Sequence, residues 1–344
     1  MKLKFKDLLT RPESYLVLSF FIALLFILIY IFFTPNYYHS FSPIRFDIQK
    51  GEPFSNVVDR LYDRGIIPSK TNFRIAAFLY GAEKRVRAAR YFIPNGLSYL
   101  GLLDLFISGK CFFSRKVTIQ DGQTIKWLAS KLQWQVFIDS SEFVSKANDT
   151  SLIHKFGLNE KSFLGYLFSK DYQIYEHTSP EEAFNLFYDA FENFYNDSLK
   201  QREQALGFTT HEILTLASII KGETNYVEEM PRISGVYHNR LRLGMKLQAD
   251  PTIQYLLPGG WRRLLYEDLE IESPYNTYKY AGLPPGPINN PGKNAILAAL
   301  YPEENNYLYF AANGNGNHKF STKYDEHVRN VNEYRRWLNS QNNR

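Results

Sequence analysis

Hydrophobic positions change period along the chain. From Tyr15 to Phe33 nineteen residues run without a charge. At about 1.5 Å per residue such a helix is about 28 Å long, matched to a hydrocarbon core of about 30 Å. The run is longer than the apolar region of a signal peptide, and it ends in Phe32-Phe33-Thr34-Pro35 with no small-residue cleavage site. Lys2, Lys4, Lys6 and Arg11 outweigh Asp7 and Glu13 on its N-terminal side, the kind of basic flank that stays in the cytoplasm. The pattern predicts a cytoplasmic tail over 1–13, an uncleaved membrane anchor over 14–34, and everything beyond it outside the cytoplasm.

After the anchor the period shortens. Three segments share an alternating run, a glycine turn and a helical stretch: Ile48 to Gly51-Glu52-Pro53, Ile93 to Gly96-Leu97-Ser98, and Ile119 to Gly122-Gln123-Thr124. Glycine allows the tight turn, and Pro, Ser or Thr suits the first positions of a helix. The third is followed by Ile125, Leu128, Ala129 and Leu132 at helical spacing. A strand feeding a helix in this way resembles LysM-type modules, which bind N-acetylglucosamine polymers; the same units also serve as plain structural spacers. Their unequal spacing excludes a solenoid.

Residues 139–160 read as polar and irregular, and Ser162 to Phe168 as a buried strand or turn. Ser179-Pro180-Glu181-Glu182 predicts a helix start, with Phe184, Phe187, Phe191 and Phe194 on a core-facing stripe. Thr209-Thr210-His211-Glu212 is a capping box that opens a helix with Ile213, Leu216, Ala217 and Ile220 on one side. Glu223 continues that stripe. A carboxyl there is either a desolvated acid facing a cleft, held protonated by burial and the helix dipole, or an ordinary exposed glutamate in a fraying last turn; spacing alone leaves both open. Beyond it, His238 to Met245, Leu247 to Thr252, Ser273 to Tyr278 and Gly282 to Ile288 read as rigid loops rich in Asn, Gln, Thr, Tyr and Pro, suited to a polyhydroxylated ligand or to their own turns.

Composition narrows the classes. The 344 residues suffice for two domains and an accessory segment, and 44% hydrophobic with 22% charged residues excludes wholesale disorder. A net charge of +5 is too diffuse for a nucleic-acid protein. The single Cys111 excludes an internal disulfide framework and a cysteine-rich metal site. Gly286 to Asn294 mimics a P-loop but is one residue too long and has Asn after Lys293, and Gly314-Asn-Gly316 lacks the third glycine of a dinucleotide fingerprint. His211-Glu212 lacks a second zincin histidine, and there is no G-x-S-x-G nucleophile elbow. Neither a metal nor a cofactor is expected.

Six motifs in order carry a specific likeness: Leu216 to Thr224, Asn239-Arg240-Leu241, Leu247 to Thr252, Tyr275-Asn276-Thr277-Tyr278, Gly282-Leu-Pro-Pro-Gly-Pro-Ile288 and Tyr307 to Phe310. They resemble the endolytic murein transglycosylases (YceG-like). The resemblance puts the family's catalytic glutamate at Glu223, in a stretch that usually reads like E-K-E-T and here reads Lys221-Gly222-Glu223-Thr224. A second departure is Ser162 to Asp171, where Leu164, Ser169 and Lys170 stand for the family's glutamate, proline and aspartate.

The resemblance implies an α+β protein: one transmembrane helix, a LysM-like βα subdomain over 35–115, and a mixed α+β catalytic domain over 116–338. It implies an enzyme of the inner membrane, its catalytic domain periplasmic, that cuts nascent peptidoglycan between N-acetylmuramic acid and N-acetylglucosamine. Glu223 would serve as acid and then base. Asn239, Gln248, Asp250, Thr252, Tyr275 and Asn276 would hold the glycan, with Asp250 facing positive charge at C1. Partners would be glycan strands, the membrane and peptidoglycan synthases, with no nucleic acid. The competing expectation is a peptidoglycan-binding scaffold that has lost efficient chemistry.

Overall fold

A computed structural model describes residues 11–33, 35, 43–108, 113–258 and 262–342. Lys2, Lys4, Lys6 and Cys111 lie outside the described residues. The chain divides into two compact units, Met1–Arg115 and Lys116–Arg344.

The first unit opens with α1 (Arg11–Phe33), whose stretch Pro12–Phe33 has a mean hydropathy of 3.0 and is long and apolar enough to cross a membrane. Its side chains from Tyr15 to Tyr30 stay largely uncovered, and only near its end does Ile31 sink into the unit's core. There follow β1 (Ile44–Asp47), α2 (Phe54–Asp63), α3 (Lys70–Tyr80), β2 (Arg90–Ile93) and α4 (Tyr99–Ser108). The two strands pair antiparallel from Ile44↔Ile93 to Asp47↔Arg90, giving a β-α-α-β unit. Arg90 fixes the sheet's end by donating to both carboxylate oxygens of Asp47, at 3.0 and 3.1 Å. Phe46, Val58, Leu61, Phe73, Tyr91 and Phe106 fill the core between sheet and helices.

From β3 (Ser114–Thr118), which crosses the boundary, the second unit continues through α5 (Ile125–Val136), α6 (Ser140–Ala147), α7 (Thr150–Lys155), β4 (Asp171–Tyr175), α8 (Pro180–Phe194), α9 (Asp197–Leu206), α10 (Thr210–Glu223), α11 (Met230–Arg242), α12 (Asp250–Leu256), α13 (Gly292–Leu300), β5 (Tyr309–Ala312), β6 (His318–Ser321) and α14 (Tyr324–Asn342). β3 pairs with β4, and β5 runs antiparallel to β6 from Tyr309↔Ser321 to Ala312↔His318. The fold is mixed α+β with helices dominant.

Each glycine signature forms the expected strand–turn–helix, and Gly51, Gly96 and Gly122 take positive φ of 81°, 79° and 83° at the turn. The capping box also forms: Thr209 accepts from the Glu212 N–H at 3.2 Å, and Glu212 accepts from the Thr209 N–H at 2.8 Å. Two expectations need correction. Residues 139–160 are not irregular but hold α6 and α7, because Asp139 and Asp149 cap them and Phe143, Ala147, Leu152 and Ile153 give each short helix a buried side. For 162–168 the structure holds the turn of the two readings offered, a buried strand or a buried turn. The string from His238 is not a loop at its start: positions 238–242 complete α11.

Helix α10 departs from a one-sided stripe as well. Every residue from Ile213 to Ile220 is buried, Thr215 and Ser218 included. Their hydroxyls are satisfied within the helix, donating to His211 O and Thr215 O at 2.7 Å each, which lets polar side chains sit in the core at little cost. Ser218 also accepts from the Ile288 N–H at 3.0 Å. The helix passes through the unit's interior and carries Glu223 at its last position.

Candidate active site

The carboxyl of Glu223 meets α11. Tyr237, fully buried on that helix, donates its hydroxyl to Glu223 Oε1 at 2.5 Å. The residue keeps part of its surface, while its carboxyl lies deep among protein atoms. Burial is the largest influence on it, and with Asp250 adding negative potential it pushes the pKa up to about 8, against the opposing pull of the Tyr237 hydrogen bond and Arg240. At neutral pH this carboxyl holds its proton, as a general acid requires. Of the two readings open from spacing, the geometry is that of the desolvated acid.

Arg240 lies one turn beyond Tyr237 and is 6% exposed. Its guanidinium donates to Leu308 O at 2.7 Å and Leu247 O at 2.6 Å, and stands over the Tyr309 ring at 5.4 Å. Two carbonyls and a ring therefore fix a buried cation whose field reaches Glu223, Tyr237 and Tyr278. Tyr278 donates to Asp250 Oδ1 at 2.5 Å. Burial, chiefly, and Asp250 raise its hydroxyl pKa far above the ordinary phenol value, so it stays a donor. The site thus gathers two carboxyls, two tyrosine hydroxyls and one guanidinium.

Backbone proximity brings Asp250 there. A Cβ on Gly222 would lie 2.5 Å from Pro251 Cβ and 2.8 Å from its Cγ, so the end of α10 and the start of α12 touch with no room for a side chain. Gly222→Ala should force α12 away, costing about 1–3 kcal/mol and moving Asp250 off Glu223. A melt should record the loss of stability, and an unchanged melting temperature would refute the tight contact. Lys221, the other departure in this stretch, donates to Asn225 Oδ1 at 2.6 Å. The charges that act on the Glu223 carboxyl are Asp250 and Arg240. Leu164 is buried in the core.

The remaining sequence-predicted residues separate into groups. Asn276 is fully buried, donating to Leu269 O and Ile271 O at 2.9 and 2.8 Å and accepting from the Tyr278 N–H at 2.9 Å. Thr252 is also fully buried, 2.7 Å from Ala249 O and 2.9 Å from the Thr277 hydroxyl. Thr252 ties the start of α12, which carries Asp250, to Ala249 and Thr277, and Asn276 holds the loop that carries Tyr278, which leaves both side chains spent on the protein itself. Asn239 donates to Asn305 O and Tyr307 O, at 2.9 and 3.1 Å, and lines an open depression of about 390 Å³ whose walls exclude Glu223, Tyr237 and Arg240. Gln248 is exposed two residues before Asp250, in a left-handed conformation with φ 47°. Tyr275 is half-buried with its ring 5.0 Å from Tyr255.

Sequence reasoning did not name Tyr237, Arg240 or Tyr278 as site residues. The available signal was the i, i+3 placement of Tyr237 and Arg240 on one helical face, hidden because the region read as a loop.

The YceG-like family pattern matches residues 46–333. A Bacillus subtilis protein named endolytic murein transglycosylase is 30% identical over 303 residues, covering 84% of each chain. One of the same name from Streptococcus pneumoniae is 28% identical over 247 residues, 63% of this chain and 44% of the longer relative. A crystal structure of a YceG-like protein from Listeria monocytogenes superposes with a TM-score of 0.58 at 28% identity, covering 83% of this chain and 98% of that one.

Proposed function

Because the chain belongs to the YceG-like family, we propose that it is a membrane-anchored lytic transglycosylase cutting glycan strands of peptidoglycan internally, with Glu223 as its acid and base. The observation that carries this reading is a buried carboxyl held protonated at the end of a core helix, with the carboxyl of Asp250 acting on it.

The chemistry needs no water. Protonated Glu223 gives its proton to the glycosidic oxygen between N-acetylmuramic acid and N-acetylglucosamine, and the bond from C1 to that oxygen breaks. The carboxylate left behind takes the proton of the muramic C6 hydroxyl as O6 bonds to C1, which restores Glu223 and leaves a 1,6-anhydro end. A hydrolase would need its second carboxyl to activate water or attack C1; here Asp250, oriented by Tyr278, faces the positive charge that develops at C1. Tyr237 steadies the carboxylate between the two proton transfers.

Gln248 and Tyr275, on the exposed side of the same loops, hold sugars. Asn276 and Thr252 shape those loops, and Asn239 ties α11 to the segment before β5. The β-α-α-β unit within 35–115 acts as a LysM-like module, and 116–338 as the catalytic domain. Helix α1 spans the inner membrane with residues 1–13 in the cytoplasm, so the glycan is met on the outer side, near the synthases that extrude it.

Digestion of purified glycan strands by the full chain tests this. Internal shortening of long strands is expected, whereas tight binding with no shortening would favour the scaffold reading. Topology has its own test: protease added to spheroplasts should degrade the region beyond the anchor, and full protection there would overturn the localisation.

A further inference from the structure

Helix α5 buries Ile125, Leu128, Ala129, Leu132 and Val136, so its opposite face owes nothing to the core. That face nevertheless carries large rings: Trp127 is 49%, Trp134 86% and Phe137 50% exposed. The three follow one another at i, i+7 and i+10 along one side, the tryptophans about 10 Å apart on the helix axis.

The end of the helix is built in an uncommon way. Phe137 closes it with φ 59°, and His177, which caps the Val136 carbonyl at 2.7 Å, has φ 55°. Left-handed backbone is costly for such residues and gathers at functional sites. Their rings stack at 5.3 Å and 25°, so His177 backs Phe137 and holds it outward. Beside them opens a depression of about 570 Å³ lined by Ser130, Gln133, Trp134, Phe137 and Asp139. Ring faces ringed by a hydroxyl, an amide and a carboxylate match a sugar, whose C–H faces pack on aromatics while its hydroxyls bond to the rim.

The face also leads somewhere. The turn before α5 lies against the last turn of α10, with the Cβ position of Gly122 3.5 Å from Lys221 Cε. It is tied to the loop before α13, Asn290 donating to Gln123 O at 2.9 Å and accepting from the Gly122 N–H at 2.7 Å. The aromatic row starts beside the helix end that bears Glu223 and runs away from it.

We propose that Trp127, Trp134 and Phe137 form a remote glycan-binding platform that holds the strand several sugars from the point of cleavage. The proposal rests on the glycan reading of the Glu223 site. A bilayer is the other surface that takes up exposed tryptophans, and Lys131 over the Trp127 ring at 5.0 Å balances Asp139 in charge; the concave depression with its hydroxyl, amide and carboxylate rim favours the sugar over a flat leaflet.

The test compares the full chain with a Trp134→Ala/Phe137→Ala double variant and with Trp134→Phe, in detergent. Binding to purified long glycan strands and cleavage of long strands and of short fragments are measured for each. The double variant should bind long strands about 10–100-fold more weakly, roughly tenfold per ring, with a raised KM on them and an unchanged rate on short fragments; Trp134→Phe should keep most of the affinity. Unchanged long-strand binding and KM in the double variant, while the wild type cuts normally, overturn the platform and leave the Glu223 reading intact. Ring-dependent binding by a wild type that cuts nothing supports the platform and sinks the Glu223 reading. Loss of affinity for anionic lipid vesicles with strand binding unchanged overturns the platform in favour of a membrane contact.

Discussion

Glu223→Gln should lower glycan cleavage about 10²–10⁴-fold, the usual cost of losing general acid–base catalysis, with the fold intact. The amide keeps the size of the side chain and can still accept the Tyr237 hydroxyl at the 2.5 Å contact, but it has no proton to give. Wild-type cleavage should hold up to about pH 8, where the carboxyl ionises, and fall above it as the acid is lost. Stability carries the same signature with a definite sign. A carboxyl whose pKa rises from 4.5 to about 8 on folding binds more protons in the native state across that window. Its contribution is fully present below about pH 4.5 and is lost as pH climbs toward 8. Glu223→Gln removes the titration, so the variant should gain on the wild type in melting temperature as pH rises from 5 to about 8. A parallel melting profile for the two proteins would show that the carboxyl is not buried as described.

Arg240→Met should cost about 2–6 kcal/mol, since it leaves the carbonyls of buried Leu247 and half-buried Leu308 without their donor at about 1–3 kcal/mol each. Lysine is no substitute, because one ammonium cannot reproduce the fork that serves both oxygens. The change also reaches the chemistry. Arg240 draws the Glu223 pKa down; without it the carboxylate is less favoured and the alkaline limb of the pH profile should move upward. Melting and a pH–rate profile on the same variant check both effects. A stable variant with an unshifted limb would mean that Arg240 neither supports the loops nor acts on Glu223.

How far the sequence spoke for itself varied with the length scale of the interaction. The apolar run of α1, the glycine turns and the two capped helices are local, and each was legible from a few neighbouring residues. Glu223 was visible as a residue continuing an apolar stripe, but its protonation follows first from burial and then from the balance of Tyr237 and Arg240, which oppose it, against Asp250, which favours it, all brought by other helices. Asn276 and Thr252 looked like ligand-binding residues because a polar side chain in a loop reads the same whether it faces a sugar or a backbone carbonyl; only their burial separates the cases. Helices α6 and α7 escaped notice because one or two turns offer too few apolar positions for a period to show, leaving their aspartate caps as the sole signal. The aromatic stripe of α8 and the exposed row of α5 are alike in composition, and tertiary packing alone puts one in the core and the other in water.

The central claim is that one carboxyl moves a proton out and back while the sugar's own C6 hydroxyl closes on C1. Digesting glycan strands in heavy-oxygen water and weighing the new ends tests it directly. The account predicts 1,6-anhydro ends, lighter than reducing ends by one water and free of label. Reducing ends that carry the heavy oxygen would contradict it, and would make Asp250 the carboxyl that activates water.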